Sequence, residues 1–206
     1  GSPSFTLEPG TYDIKVRYSA TKDERWIRGV QLKAGDDLER EAHFAFGRIR
    51  LSGLGGDGKR VYLGVSVYRS GSNEKIQQKT GGSPSFTLES GTYDIKVRFS
   101  PTKEEKWLRG IQIEAGQKLE REVRFAFGTI QVSGLGPDGK QVYLGATVYH
   151  GGSNEKVHQK TGGKPKFTLE PGSYDIKVRA GSLKQEKWLR GVQISDGAEL
   201  KEQVQF

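Results

Sequence analysis

A twelve-residue segment occurs three times at a spacing of 81 residues, and it narrows the possible folds more than any other feature. It reads Phe5-Thr-Leu-Glu-Pro-Gly-Thr-Tyr-Asp-Ile-Lys-Val16, then Phe86-Thr-Leu-Glu-Ser-Gly-Thr-Tyr-Asp-Ile-Lys-Val97, then Phe167-Thr-Leu-Glu-Pro-Gly-Ser-Tyr-Asp-Ile-Lys-Val178. Pro9-Gly10 and Pro171-Gly172 offer a preset φ followed by a residue free to take positive φ, as a type II turn requires. After the turn, Tyr12, Ile14 and Val16 alternate with Asp13, Lys15 and Arg17, the period of a strand with one buried face. The segment therefore predicts a short strand, a tight turn and a longer strand. The 81-residue period sets the size of the structural unit more firmly than the chain length of 206 does.

Other strand patterns fall between the copies. Trp26–Leu32 is an apolar run, and Leu38, Ala42, Phe44 and Phe46 stand at even spacing among charges. Residues 1–46 thus predict four strands. Residues 47–127 open with three more, around Ile49, over Val61–Tyr68 and over Lys75–Lys79, before the same four return. Residues 128–206 repeat all seven and stop at Phe206, the counterpart of Phe125. The expected fold is all-β: tandem seven-stranded sandwiches over 47–127 and 128–206, preceded by a partial unit, 1–46, that holds the last four strands. Phe44-Ala-Phe-Gly-Arg-Ile49 and Phe125-Ala-Phe-Gly-Thr-Ile130 join units without a linker, which favours an elongated, stiff array. A partial unit exposes an apolar face, so Phe5, Tyr12, Phe46 and Phe127 are candidate assembly residues.

Charge and composition remove several classes of function. The net charge is +8, but acids are interleaved throughout and no Lys/Arg cluster forms, so no nucleic-acid partner is expected. There is no cysteine, hence no disulfide or thiolate metal site. No apolar run reaches the roughly 18 residues of a membrane span, and no signal peptide is present. The chain also lacks methionine, which reads as a processed product or a piece of a longer protein.

The order Gly128-Thr-Ile-Gln-Val132, Gly136-Pro-Asp-Gly-Lys140, Ala146-Thr-Val-Tyr149, Phe167–Val178 and Arg190-Gly-Val-Gln-Ile194 resembles the prealbumin-like β-sandwich modules of bacteria, of the carboxypeptidase-regulatory-like and Cna-B type. The Trp-Leu-Arg-Gly-Val motif with a Phe-ending strand is similar to repeats found beside von Willebrand factor A domains. The resemblance implies stalk, spacer or adhesion modules on secreted, periplasmic or surface proteins. It implies neither an isopeptide bond nor a metal-ion motif here. Cna-B modules place a Lys, an Asn and a helping Glu on defined strands, and the corresponding strands lack them. The Asp-x-Ser-x-Ser motif of a von Willebrand A domain is also absent.

The candidate chemistry is sparse. Trp26, Trp107 and Trp188 precede Arg28, Arg109 and Arg190 at one repeat position. They are either an aromatic platform for a carbohydrate or core tryptophans with a stacked arginine. His43, His150 and His158 do not recur at their repeat positions and read as surface residues. Gly55-Gly-Asp-Gly58 and Gly136-Pro-Asp-Gly139 read as hairpin turns rather than phosphate or calcium loops. Glu8, Glu89 and Glu170, with Asp13, Asp94 and Asp175, flank the recurring turn and read as partners of Lys or Arg across strands. Tyr62, Tyr68, Tyr143 and Tyr149 crowd one strand and suit core burial or a lateral surface. Neither a catalytic constellation nor a cofactor is expected. The sequence favours a structural and assembly protein that self-associates through sandwich edges or faces, with a carbohydrate-binding module as the alternative.

Overall fold

The computed structural model describes residues 3–19 and 23–206, and its regular elements are β-strands apart from one 3₁₀ turn at Gly181–Leu183. In chain order the strands are β1 (Gly10–Arg17), β2 (Glu24–Leu32), β3 (Phe46–Gly55), β4 (Arg60–Val61), β5 (Leu63–Arg69), β6 (Lys75–Gly81), β7 (Ser85–Glu89), β8 (Gly91–Phe99), β9 (Glu104–Ile113) and β10 (Lys118–Phe125). They continue with β11 (Gly128–Leu135), β12 (Leu144–His150), β13 (Lys156–Gly162), β14 (Lys166–Leu169), β15 (Gly172–Ala180), β16 (Gln185–Ile194) and β17 (Glu199–Gln205).

Five sheets result. In residues 46–125, β3 lies between antiparallel β7 and parallel β10 and also pairs directly with the short antiparallel β4, and a second sheet runs β6-β5-β8-β9. In residues 128–205, β11 lies between antiparallel β14 and parallel β17, and the facing sheet runs β13-β12-β15-β16. Alternation decides which side chains turn inward. Ile49 and Leu51 of β3, Val65 and Val67 of β5, Phe86 and Leu88 of β7, Ile95 and Val97 of β8, and Phe125 of β10 form one buried cluster. Ile130, Val132, Val148, Phe167, Leu169, Ile176 and Val178 form its counterpart. Each cluster draws on both of its sheets, as in a sandwich.

The recurring segment bends where anticipated but not as a type II turn, since Gly10, Gly91 and Gly172 open their strands without positive φ, and a bond that alternation does not signal holds the bend. The Tyr93 hydroxyl donates to the Glu89 carbonyl at 2.6 Å, Tyr174 to Glu170 at 2.9 Å and Tyr12 to Glu8 at 2.6 Å. Each tyrosine fastens the turn that precedes its own strand.

The first 46 residues depart from expectation. Only two of the four anticipated strands form, β1 and β2, and they make an isolated two-stranded sheet. The segment at Phe5–Glu8 and the run from Leu38 to Ala45 are not strands, and Phe46 opens β3 rather than closing an earlier strand. Pairing supplies the reason. The later counterparts of those two segments, β7 with β10 and β14 with β17, are held on either side of β3 and β11 respectively. Residues 3–45 contain no such central strand, so their ladder hydrogen bonds have no partner. Among the described residues up to Phe46, no apolar side chain is buried.

Candidate functional site

The three Trp-Arg pairs lie on the outer faces of β2, β9 and β16. Asp94 of β8 accepts the Gly110 N–H at 2.9 Å and a guanidinium N–H of Arg109 at 3.0 Å. Asp175 does the same with Gly191 (2.9 Å) and Arg190 (2.9 Å), and Asp13 with Gly29 (2.8 Å) and Arg28 (3.3 Å). Each Asp sits where the strand register slips, as at Tyr93/Ile95, and each glycine adopts φ of 64–65°. A bulge needing positive φ explains the glycine, and its freed N–H explains the aspartate. The anchored guanidinium lies 4.1 Å from the Trp107 ring centre and 3.9 Å from that of Trp188, against 5.2 Å at Trp26. Tyr68 and Tyr149 flank the two later indoles at 5.4 and 5.5 Å.

The indoles are neither core nor fully open, with exposures of 50% at Trp26, 40% at Trp107 and 41% at Trp188. Core burial, one of the two roles that the sequence allows these tryptophans, is excluded by their outer-face position. The guanidinium stacked on each of the two later rings occupies area that a sugar ring would use. The Asp94 and Asp175 carboxyls are held below the usual aspartate range, first by the N–H groups of Gly110 and Gly191, aided by the neighbouring arginines.

Phe46 and Phe127 mark the joints. The Phe127 side chain stacks on Phe99 at 4.9 Å inside the core of residues 46–125. Its backbone belongs to the next block: the N–H donates to Asp196 at 3.0 Å and the carbonyl accepts from Gly197 at 2.9 Å. Phe46 behaves alike, with its ring 4.5 Å from Tyr18 and its carbonyl bound by Gly116 at 2.8 Å. Lys59 reaches Glu199 at 3.8 Å, and a Cβ on Gly56 would collide with Asp196. At the earlier joint, Arg69 pairs with the buried Asp23 at 3.2 Å, Arg25 pairs with Glu89, and Ser90 N–H donates to Ala45 at 2.7 Å.

The remaining candidates are quieter. Phe5 is exposed and Tyr12 half-buried on the open hairpin. His43 is exposed, whereas His158 is half-buried rather than at the free surface. Burial first, then Lys103 and Lys160, lower its pKa, and it stands beside a cavity of about 120 Å³ lined partly by Thr102, His150 and Glu170. Asp57 and Asp138 accept the N–H groups of Lys59 and Lys140 at 3.0 Å, as tight hairpin turns do. Among the described residues, no group of three His, Cys, Asp or Glu could hold a metal ion. The sequence reading missed Asp196, whose counterpart is Ala115, because nothing in one copy announces a contact made only in another. The tyrosine bond was detectable in principle, from the fixed spacing of four between Glu and Tyr.

No family model matches the chain, and no curated protein matches it. Among solved structures, the TIE protein of Bacillus anthracis is similar at 17% identity and a TM-score of 0.38, over 97% of this chain and 42% of that one. A streptococcal ancillary pilin is similar at 12% and 0.36, over 96% and 76%. A tip fimbrial protein of Porphyromonas gingivalis is similar at 6% and 0.36, over 70% and 81%. The chain therefore spans less than half of the first of these. At TM-scores this low the likenesses decide neither fold nor function. No described helix is long and apolar enough to cross a membrane, which says nothing of a β-barrel.

Proposed function

We propose that this chain is a structural and assembly protein. Its tandem seven-stranded sandwich modules, residues 47–127 and 128–206 with a partial unit over 1–46, form a stiff stalk or filament element on a bacterial surface. The observation that carries this reading is Phe127, whose ring packs in one core while its backbone is bound by Asp196 and Gly197 of the next block. A joint of that kind resists bending more than a flexible linker does. Small-angle scattering tests it. A compact chain of this length has a radius of gyration of about 17 Å, and a rod exceeds that clearly. A value near 17 Å at all concentrations removes the reading.

A second reading, an adhesion or carbohydrate-binding module, is favoured by the half-exposed indole at the same place in all three copies. Titration of glycan arrays against the chain, with a Trp107→Ala/Trp188→Ala variant as control, tests it. Binding that is unchanged in the variant removes the indoles from any such role.

A further inference from the structure

Strand pairing gathers one set of side chains onto the outer face of each four-stranded sheet. Across β6, β5, β8 and β9 one row reads Thr80, Gly64, Arg98 and Glu105, and the next reads Gln78, Ser66, Lys96 and Trp107. The matching rows of residues 128–205 are Thr161, Gly145, Arg179 and Glu186, then Gln159, Thr147, Lys177 and Trp188. Of these eight positions only Ser66 differs, its counterpart being Thr147. The outer face of the other sheet is not alike in the two blocks. Arg48 and Arg50 of β3 correspond to Thr129 and Gln131, and their neighbours Lys118 and Glu120 correspond to Glu199 and Lys201. Even the core varies, with Phe99 answered by Ala180. Packing therefore does not explain why the first face is constant, and exposure left the second free to change. Constancy on an exposed polar and aromatic face marks a surface that is contacted.

An open shelf lies within that face. Its floor is Gly64, where a Cβ would meet only Arg98 atoms at 3.9 Å, and in the second copy Gly145, where it would meet only the Thr161 methyl at 4.0 Å. Neither glycine has positive φ, and both sit inside a regular ladder. A strand-interior glycine that the backbone does not require is a place of close approach by something else. At one end stands Tyr62, 65% exposed, its hydroxyl 3.4 Å from Thr80 Oγ1, and Tyr143 at 66% stands likewise 3.4 Å from Thr161. Arg98 and Arg179 pair with these glycines from β8 and β15. The nearby acids are already engaged. Glu105 is held by Lys96 at 3.1 Å, Glu186 by Lys177 at 2.6 Å, and Asp94 by Arg109 at 3.0 Å. Among the described residues Arg98 pairs with no acid, so its charge is free for a ligand. The rings of Tyr62 and Tyr143 are also free, whereas each later indole carries a stacked guanidinium. The seams between the sheets offer less to a peptide strand. Lys79 and Lys160 donate across them to the carbonyls of Ser85 and Lys166, and Lys106 and Lys187 to those of Arg124 and Gln205.

We propose that the shelf of Tyr62, Gly64, Thr80 and Arg98, with its copy at Tyr143, Gly145, Thr161 and Arg179, binds uronic-acid units of an acidic polysaccharide, one unit per block. The inference rests on the carbohydrate-binding reading above and names its substrate class, while moving the contact from the indole to the tyrosine. A uronic acid brings an aliphatic ring face for the tyrosine, hydroxyls for Thr80 and Gln78, and a carboxylate that the guanidinium fork can hold with two parallel hydrogen bonds. The absent side chain of Gly64 leaves the ring room to lie down. A polymer with the same unit repeated along it suits a chain with the same shelf repeated along it.

The test is titration calorimetry of the intact chain with oligogalacturonate and with hyaluronan fragments. Expected is binding of a uronate probe, with the methyl ester of the oligogalacturonate, which keeps the sugar and removes the charge, at least about tenfold weaker. A Gly64→Val/Gly145→Val variant fills the shelf without a clash and places a strand-favouring residue on an exposed strand, so its Tm should not fall. Its uronate binding should drop about tenfold or more. An Arg98→Ala/Arg179→Ala variant, altered only at exposed side chains, should lose as much and serves if the valines unfold the chain. Binding of neither uronate, equal binding of the methyl ester, or undiminished binding by both shelf variants overturns the proposal. Polyglutamate bound as tightly as the uronates overturns it in favour of an acidic polypeptide. Loss of uronate binding in the Trp107→Ala/Trp188→Ala variant with retention in the shelf variants returns the site to the indoles. Neutral oligosaccharides bound while uronates are not would overturn this inference and leave the carbohydrate reading standing, whereas no binding of either kind removes both.

Discussion

Phe5 and Phe86 hold the same place in the recurring segment, yet Phe5 is 70% exposed and Phe86 is 0% exposed. Leu7 and Leu88 differ in the same sense, and the neighbouring sequence is nearly identical. The two regions differ in whether a central strand lies between the short segment and the last one. β3 supplies it for residues 46–125, and among the described residues no strand does so for residues 3–45. Local sequence therefore selects which residues turn toward a core, while the central strand decides whether a core exists. The turn itself survives in both regions, because Tyr12 and Tyr93 make the same 2.6 Å bond with or without a covered face.

This contrast is most strongly tested by deleting the paired aromatics. Phe86→Ala should cost about 3–5 kcal/mol in urea denaturation, whereas Phe5→Ala should stay within about 0.5 kcal/mol. Comparable losses would mean that the hairpin face is covered in solution. A smaller difference is expected at the joints. Gly56→Pro installs the residue found at the counterpart, Pro137, and drives side-chain atoms into Asp196. It should lower stability by about 1–3 kcal/mol and widen the scattering-derived range of orientations between the blocks. Tyr93→Phe should cost about 1 kcal/mol through its lost hydrogen bond, and Tyr12→Phe, in its exposed setting, less than about 0.5 kcal/mol.

Acidification separates the regions by a different route. The Asp94 and Asp175 carboxyls are held below their ordinary value chiefly by the Gly110 and Gly191 N–H groups. A depressed carboxyl pKa means that the folded state favours the ionised form. Its stabilisation is complete above the ordinary value of about 3.9 and is lost as pH falls through the lowered one. Thermal melts between pH 5 and pH 2, roughly the span of that titration, should therefore show a loss that Asp94→Asn and Asp175→Asn variants reduce. His158 acts earlier. Its lowered pKa means that the folded state favours the neutral ring, so stability declines as pH drops from about 6.5 toward the lowered value. Amide protection at residues 100–103, measured relative to intrinsic exchange, should fall between pH 7.5 and 5.5, on either side of that value, and a His158→Gln variant, carrying the residue of the counterpart Gln77, should not follow.

Much of the fold could be read from alternation. Ile14, Ile95 and Ile176 all face the side that period two assigns to them, and the glycine-rich turns at Asp57 and Asp138 fall where their residues demand. The unread parts depend on partners far along the chain. Leu38–Phe46 carries a strand pattern as clear as Leu119–Phe127, but a pattern cannot reveal that its neighbour is missing. The Trp-x-Arg-Gly motif was visible as a recurrence and ambiguous as a function. Only the positive φ at Gly110 and the aspartate across the bulge explain why Arg and Gly follow the tryptophan. Asp196 was hidden for the opposite reason, since its role exists at one joint and its counterpart is alanine.

The parallel pairing of β11 with β17 has a mechanical consequence. The ladder runs from Thr129 beside Glu199 to Leu135 beside Gln205, so the block's entering and leaving ends lie at opposite ends of one pair of strands. Tension applied between Gly128 and Gln205 loads all of those hydrogen bonds together, in shear, instead of unzipping them one after another. β3 and β10 are arranged in the same way, from Arg48 beside Lys118 to Gly55 beside Phe125. A pulling experiment should meet high, separate rupture forces for the two closed blocks and almost none for the hairpin, whose β1 and β2 peel apart from one end.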